Sequence, residues 1–333
     1  MTKILNVTDT SQTDWDAAWQ NSKSATFYHS RLWAEIWESY TQGRIKPAAK
    51  TILFSDNVKV VLPVMCKNYY KGLIKRFALT GPPFLSKYGN WLTNDHLSQS
   101  HVELLSNFIL KKYNNLTWQL NPFDDDSKYV VLDDKHVLRY PEIDYVIDLS
   151  TGMDKIFSNF KNSCKNHINQ AMNNKLMVTE EYGTSSWKKY YEIYCDTLKR
   201  WGKKVPYILQ WNLFNIVSTL PHQYVKLWLV RYDNRIIAGC INFYSNQKIM
   251  GWHMASLTEY RHLRPNHFME YQMIKDGVQN RYLWYDMGTD AGSKGLQDFK
   301  RSFGPEKMMS DKIVKWNLVI HQLLNFKRKF QKE

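Results

Sequence analysis

The 333 residues are 44% hydrophobic and 23% charged, which is ordinary for a folded protein and enough for two domain cores, excluding a disordered or fibrous chain. A formal charge of +14 and a pI near 9.4 favour polyanionic partners: tRNA, a nucleotide sugar, a coenzyme A tail or an anionic membrane face. A generally basic surface is the bland alternative. Cys66, Cys164, Cys195 and Cys240 are scattered without metal-ligand spacing, which argues against a zinc site and against a disulfide framework. No basic start leads into an apolar stretch, and no apolar run nears the roughly 18–20 residues of a membrane span. These features lead us to expect a soluble, cytoplasmic protein.

Along the chain, Ser30–Tyr40 reads as a helix, with Leu32, Trp33, Ile36 and Trp37 forming an apolar stripe at helical spacing. Two strand-like runs follow, Ala48–Phe54 and Val58–Cys66, joined by the turn residues Ser55-Asp56-Asn57. Arg76–Thr80 is a further strand ending at the breaker Gly81-Pro82-Pro83, Asp95–Lys111 a helix, and Leu116–Leu120 a short strand. Met153–Asn174 then reads as one polar, basic helix capped by Ser150 or Thr151. It carries Lys155, Lys161, Lys165, His167 and, just beyond, Lys175, with Ile156, Phe160, Ile168 and Met172 available to face the protein. Such a charge run is either a solvated face or a phosphate-contacting surface.

The second half repeats the pattern. Trp187–Arg200 and Trp211–Leu220 are predicted helices, and Val225–Tyr232 with Ile236–Tyr244 a hairpin around Asp233-Asn234. Lys248–Ala255 supplies a third strand, Pro265–Gln279 a helix and Tyr282–Met287 a strand. Both halves share the order helix, hairpin, strand, helix, strand, although residue identity between them is low. The expected fold class is therefore α/β, with mixed sheets and flanking helices occurring twice. We expect a first domain over 1–150, a connecting basic helix over 151–175 and a second domain over 176–333.

Walker A, GxGxxG, GxSxG and HExxH motifs are missing, so phosphate binding falls to Lys, Arg and helix N-termini. Two clusters stand out. Trp252–Asn266 lies between a predicted strand and a helix and carries Trp252, His253, Tyr260, Arg261 and Arg264, with Pro265 suited to the first helical turn. Here His253 is a cleft or core histidine or a base, and Arg264 a surface residue or an anion contact. The other cluster is Tyr285-Asp286-Met287-Gly288 followed by Gly295–Gly304, in which a short helix carries Phe299 and Lys300. Lysine beside an aromatic at such a place can stabilise charge developing on a carbonyl oxygen or phosphate. Asp286 is a strand-end carboxylate at the sheet mouth, or a cap or salt-bridge partner.

Leu296-x-x-Phe299-Lys300-x-x-Phe303-Gly304 resembles the closing motif of the Fem-type (FemA/FemB/FemX-like) peptidyltransferases of the GNAT superfamily, as does Tyr285-Asp286-x-Gly288. Asn166-His167-Ile168-Asn169-Gln170-Ala171 keeps the Asn, Ile and Ala of the family's helix before its second domain. Phe27-Tyr28-His29-Ser30-x-x-Trp33 and Thr80-Gly81-Pro82-Pro83 also fit. The resemblance implies tandem GNAT-like acyltransferase domains that move an aminoacyl group from aminoacyl-tRNA to an amine, typically of a cell-wall peptide precursor. It implies Lys300, Phe299 and Asp286 as catalytic residues. Arg200, Trp252, His253, Tyr260, Arg261, Arg264 and Trp33 are the expected substrate contacts, with the acceptor in a cleft between the halves. Arg200, in Thr197-x-x-Arg200-x-Gly202, fits the branch found in polysaccharide clusters. The Arg and Tyr that hold a nucleotide-sugar pyrophosphate would fall near Pro206 and Gln210, and both differ. That directs attention to a different amino sugar or a lipid-linked glycan as acceptor.

Three functions follow. The first is aminoacyl-tRNA-dependent transfer, with no bound cofactor and no metal. Alternatively, an acyl-CoA-dependent N-acyltransferase acts on an amino sugar, although Arg261-His262-Leu263-Arg264-Pro265-Asn266 lacks the glycines that usually cradle coenzyme A. The third is a non-catalytic nucleic-acid or membrane-surface binder using an amphipathic helix over Ile313–Phe330. A peripheral contact at the inner face of the membrane is compatible with each.

Overall fold

In the computed structural model, residues 2–69, 74–82, 87–134, 136–202 and 207–316 are described. The chain divides into two compact units, Met1–Glu142 with Met309–Glu333, and Ile143–Met308. This division falls eight residues before the expected one at 150, and it returns the C-terminal segment to the first unit.

The first unit contains β1 (Ile4–Asp9), α1 (Gln12–Asn21), α2 (Arg31–Tyr40), β2 (Ile45–Pro47), β3 (Lys50–Phe54), β4 (Lys59–Leu62), β5 (Val64–Tyr69), β6 (Ile74–Leu79), α3 (Gln99–Lys112) and β7 (Leu116–Gln119). It also takes the first half of β8 (Val137–Asp148) and most of β14 (Glu306–Lys315). One sheet runs β1-β3-β4, and a second series runs β2-β5-β6-β7-β14. Ser30 caps α2 by accepting from the Trp33 amide at 3.1 Å. The Asp56-Asn57 turn forms as expected, with Asn57 left-handed at φ 66°. The run Val58–Cys66 does not stay whole. Pro63, which has no N–H, separates β4, paired with β3, from β5, paired with β2 and β6.

The expected C-terminal helix over Ile313–Phe330 is corrected at its start. Lys312–Lys315 pairs antiparallel with Leu116–Gln119, so the β-branched Ile313 and Val314 complete a sheet. The remainder of that expected helix, beyond Trp316, lies outside the described residues. Among the described residues no helix is long and apolar enough to cross a membrane.

The second unit continues from β8 with α4 (Met153–Asn159), α5 (Asn162–Asn173), β9 (Met177–Glu181), α6 (Gly183–Trp201), α7 (Trp211–Val217), β10 (Val225–Tyr232), β11 (Arg235–Ser245), β12 (Lys248–Ser256), α8 (Pro265–Gln279), β13 (Trp284–Thr289) and α9 (Lys294–Arg301). Its strands lie in the order β8-β13-β12-β11-β10-β9. Asp233 and Asn234 take φ of 45° and 62°, the left-handed pair that a two-residue hairpin loop requires. All neighbours are antiparallel except β12 and β13, which run parallel and pair only over Lys248–Met250 and Trp284–Asp286. Beyond Met250 the two strands part.

The segment expected to be one connecting helix is two helices. Phe160 and Lys161 have extended backbone, and Gly152 is the N-cap of the first. Phe160 turns inward against Phe303, and the Lys161 amide donates to Ser302 O at 2.9 Å. Ile156, Phe160, Cys164, Ile168 and Ala171 are buried in the core of the second unit, so the segment is part of that unit and not a linker. Met172 is half exposed and does not face the protein. The lysines do stay at the surface: Lys155, Lys161 and Lys175 are exposed, and Lys165 is half-buried.

Candidate functional site

The parting of β12 and β13 is prepared by local chemistry. On β12, His253 pairs with Ile241 and Gly251 with Asn242, leaving Trp252 as the extra residue of a β-bulge. A side-chain carbon on Gly251 would lie 3.1 Å from Asp286 O and 3.7 Å from both Met287 Cα and Tyr285 Oη. Glycine there lets the β12 backbone close on β13 just before they diverge. The bulge aims Trp252 and His253 at the same aromatic group: Trp252 packs on Phe214 and Phe243, and His253 on Tyr190, Tyr194 and Phe214. His253 Nδ1 and the Tyr190 hydroxyl share a hydrogen bond. Burial among these rings pushes the imidazole down to about 4, so His253 is neutral at neutral pH.

The end of β13 brings the two halves of the second sequence cluster together. Asp286 is 2% exposed and its Oδ1 accepts from the Gly288 amide at 2.6 Å, which braces the bend at left-handed Gly288 (φ 74°). α9 starts at Ser293, whose side chain accepts from the Leu296 amide at 3.4 Å. In its last turn Lys300 is buried, and its Nζ donates to Met287 O and to Thr289 O, the latter at 2.6 Å. An ammonium is thereby fixed where β13 ends. Phe299 packs edge-on against His267 at 4.9 Å and against Phe303 at 5.3 Å. His267 is 3.3 Å from His167, Nε2 to Nδ1, and burial with the neighbouring His167 and Arg264 charges holds it down at about 3.

Arg200, on α6, is close enough to Arg261 to feel its charge, and Arg264 is the N-cap of α8. Arg200 donates to Ser256 O at 3.1 Å and Thr258 Oγ1 at 3.0 Å, and burial followed by the nearby Arg261 lowers its pKa. Asp196 receives both the amide and the hydroxyl of Thr258 at 2.8 Å, so α6 holds the start of this loop with two side chains. Arg261 is exposed. Tyr260 stands apart, accepting from Arg235 at 2.9 Å with that guanidinium over its ring. Arg264 adopts a left-handed φ of 62° ahead of Pro265, and its Nε is buried with no hydrogen-bond partner among the described residues.

Trp33 does not reach a surface. It is 2% exposed, within ring contact of Phe27, Tyr28 and Trp37 in the first unit, and serves as core where a substrate contact was expected.

Among the buried charged residues that the sequence reading passed over is Glu270. Glu270, on α8, is 2% exposed and accepts from the Tyr285 hydroxyl at 2.8 Å. Burial pushes its carboxyl up to about 7, against the opposing pull of Tyr285 and Lys300. The available signal was position: Met273, Ile274 and Gly277, three, four and seven residues on, form the buried stripe of α8.

The Acetyltransferase (GNAT) domain family model matches residues 202–301. The Lipid II:glycine glycyltransferase of Staphylococcus haemolyticus is 31% identical over 104 residues, 29% of this chain and 24% of that protein. The match thus spans about a quarter of that curated relative. The crystal structure of FemX superposes with a TM-score of 0.72 at 14% identity, covering 96% of this chain and 99% of that one. The C-terminal domain of a putative lysylphosphatidylglycerol synthetase from Agrobacterium fabrum superposes at 0.55 with 10% identity, covering 96% of each chain. These likenesses establish the fold, and the segment that is similar to the acetyltransferase (GNAT) domain, residues 202–301, contains Trp252–Arg264 and Phe299-Lys300.

Proposed function

We propose that the protein is an aminoacyltransferase that passes an aminoacyl group from aminoacyl-tRNA to an amine of a cell-wall or surface-glycan precursor. The observation that carries this reading is the buried Lys300 ammonium, anchored on Met287 O and Thr289 O beside the opening between β12 and β13. The acceptor amine attacks the ester carbonyl, negative charge grows on the carbonyl oxygen, and a fixed positive charge lowers the barrier. As the intermediate collapses the new C–N bond is kept and the ester C–O bond breaks. The nucleotide hydroxyl leaves with a proton from the attacking nitrogen. No covalent enzyme intermediate is needed, so orientation and electrostatics supply the catalysis. The basic group Arg200, Arg261 and Arg264 suits the phosphates of the donor's acceptor end.

The glycyltransferase relative suggests a lipid-linked glycan-peptide as the acceptor, which would bring the protein to the inner face of the membrane. The matched domain's description favours a second reading, acyl-CoA as donor. Against it, the segment leading into α8 has no glycine between Arg261 and Asn266. Purified protein given lipid II with either labelled aminoacyl-tRNA or acetyl-CoA separates the two. Label transferred from aminoacyl-tRNA supports the proposal, and label transferred from acetyl-CoA alone replaces it.

A further inference from the structure

We propose that the outward face of α5 is the surface on which the RNA double helix of the donor rests, held through side-chain amides and lysines. The assignment rests on the aminoacyl-tRNA reading and adds where the body of that donor docks.

Asn162, Asn166, Asn169 and Asn173 stand at i, i+4, i+7 and i+11, so they form one stripe along α5. All four are exposed, while Cys164, Ile168 and Ala171 fill the opposite, buried side. None of the four asparagine side chains has a hydrogen-bond partner among the described residues. From Lys155 to Thr179 the chain contains no aspartate or glutamate, against Lys155, Lys161, Lys165 and Lys175. None of these lysines forms an ion pair among the described residues.

This composition is unusual for a helix that merely meets water. Asparagine is among the weaker helix formers, and exposed helical positions are commonly supported by opposite charges three or four residues apart. Other helices here have such pairs: Arg31–Glu35 on α2, Lys189–Glu192 at 3.3 Å on α6 and Lys294–Asp298 at 2.8 Å on α9. α5 forgoes both supports.

The face also adjoins the candidate site within the second unit. At one end the Lys161 amide donates to Ser302 O at 2.9 Å, next to the exposed Arg301 and two residues from Lys300. Toward the other end Gln170 donates to His262 O at 3.1 Å, beside the exposed Arg261. The helix itself spans about 18 Å, the length of several base pairs.

An amide both donates and accepts hydrogen bonds, as does the ribose 2′-hydroxyl, which A-form RNA displays in a wide, shallow minor groove. Lysines at the margins meet phosphates, and no carboxylate in the segment repels them. An anionic membrane would call for apolar side chains among the cations, and Met172 is the one exposed apolar side chain of α5.

The test combines Asn162→Glu, Asn166→Glu, Asn169→Glu and Asn173→Glu in one protein and the four corresponding Ala changes in another. Both substitutes are better helix formers than asparagine, so α5 is retained, as circular dichroism checks. Binding of deacylated tRNA, of RNA and DNA duplexes of one sequence, and of phosphatidylglycerol vesicles is then measured. We expect the Glu protein to bind tRNA about tenfold or more weakly. Its KM for aminoacyl-tRNA should rise in step, with kcat at saturating donor unchanged. The Ala protein should lose the wild type's preference for RNA over DNA duplex, and a preference retained there overturns the amide contacts. Equal tRNA affinity in wild type and the Glu protein, with transfer from aminoacyl-tRNA intact, overturns the docking face alone. Wild-type protein that binds no tRNA and transfers only from acetyl-CoA overturns the donor reading and the face together. Vesicle binding lost in the Glu protein, with tRNA affinity unchanged, makes α5 a membrane contact in place of an RNA one.

Discussion

Two lysines in this molecule are equally buried, at 7% exposure, and do different work. Lys315, in the first unit, donates to Leu110 O at the end of α3 and sits 2.7 Å from the Asp134 carboxylate. Its charge is answered on the spot, and its effect is to tie β14 to the helix beside it. Lys300, in the second unit, grips two main-chain carbonyls at the end of β13, and its charge acts on both Glu270 and Asp290. A direct ion pair makes a clamp. A charge held by carbonyls beside parting strands makes a field that a reacting group can use.

The comparison breaks most directly at Lys300. Lys300→Ala should lower the transfer rate by about 100-fold or more, with the circular-dichroism spectrum retained. A loss of spectrum and activity together would make Lys300 a clamp like Lys315. Next in size is a core control, Trp33→Ala, expected to cost about 3–5 kcal/mol in denaturant unfolding while the folded fraction keeps its KM. A raised KM in fully folded protein would return Trp33 to the substrate contacts. Lys315→Met should cost about 2 kcal/mol, since Asp134 loses its partner at a partly exposed position, with kcat unchanged. The smallest effect is expected at His253. Its ring is already neutral at neutral pH, so His253→Gln should change rates only a few-fold and leave the pH profile between 6 and 8 unaltered. A shifted profile would give His253 the proton-transfer role that its burial argues against.

Much of the second unit was legible because local signals and tertiary packing agree there. Pro265 and the following periodicity mark α8 over Pro265–Gln279, and Asp233-Asn234 marks the hairpin it forms. Phe299 and Lys300 could be singled out by pattern, yet their partners could not: His267 and the carbonyls of Met287 and Thr289 reach them through the fold. Where the sequence misled, a competing interaction prevailed. A helical period runs through Met153–Asn174, but Phe160 packs on Phe303 and Lys161 bonds Ser302 O, and the helix breaks between them. Ile313 and Val314 resemble the start of an amphipathic helix, and pairing with Trp118 and Thr117 makes them strand. Glu270 was passed over because a glutamate in a helix is ordinary until burial and Tyr285 surround it.

The most direct test of the central claim is single-turnover transfer from labelled aminoacyl-tRNA to lipid II by wild-type, Lys300→Ala and Lys315→Met proteins, compared at equal folded concentration. The account predicts transfer by wild type and Lys315→Met and near-complete loss in Lys300→Ala. Equal transfer by all three proteins would contradict it.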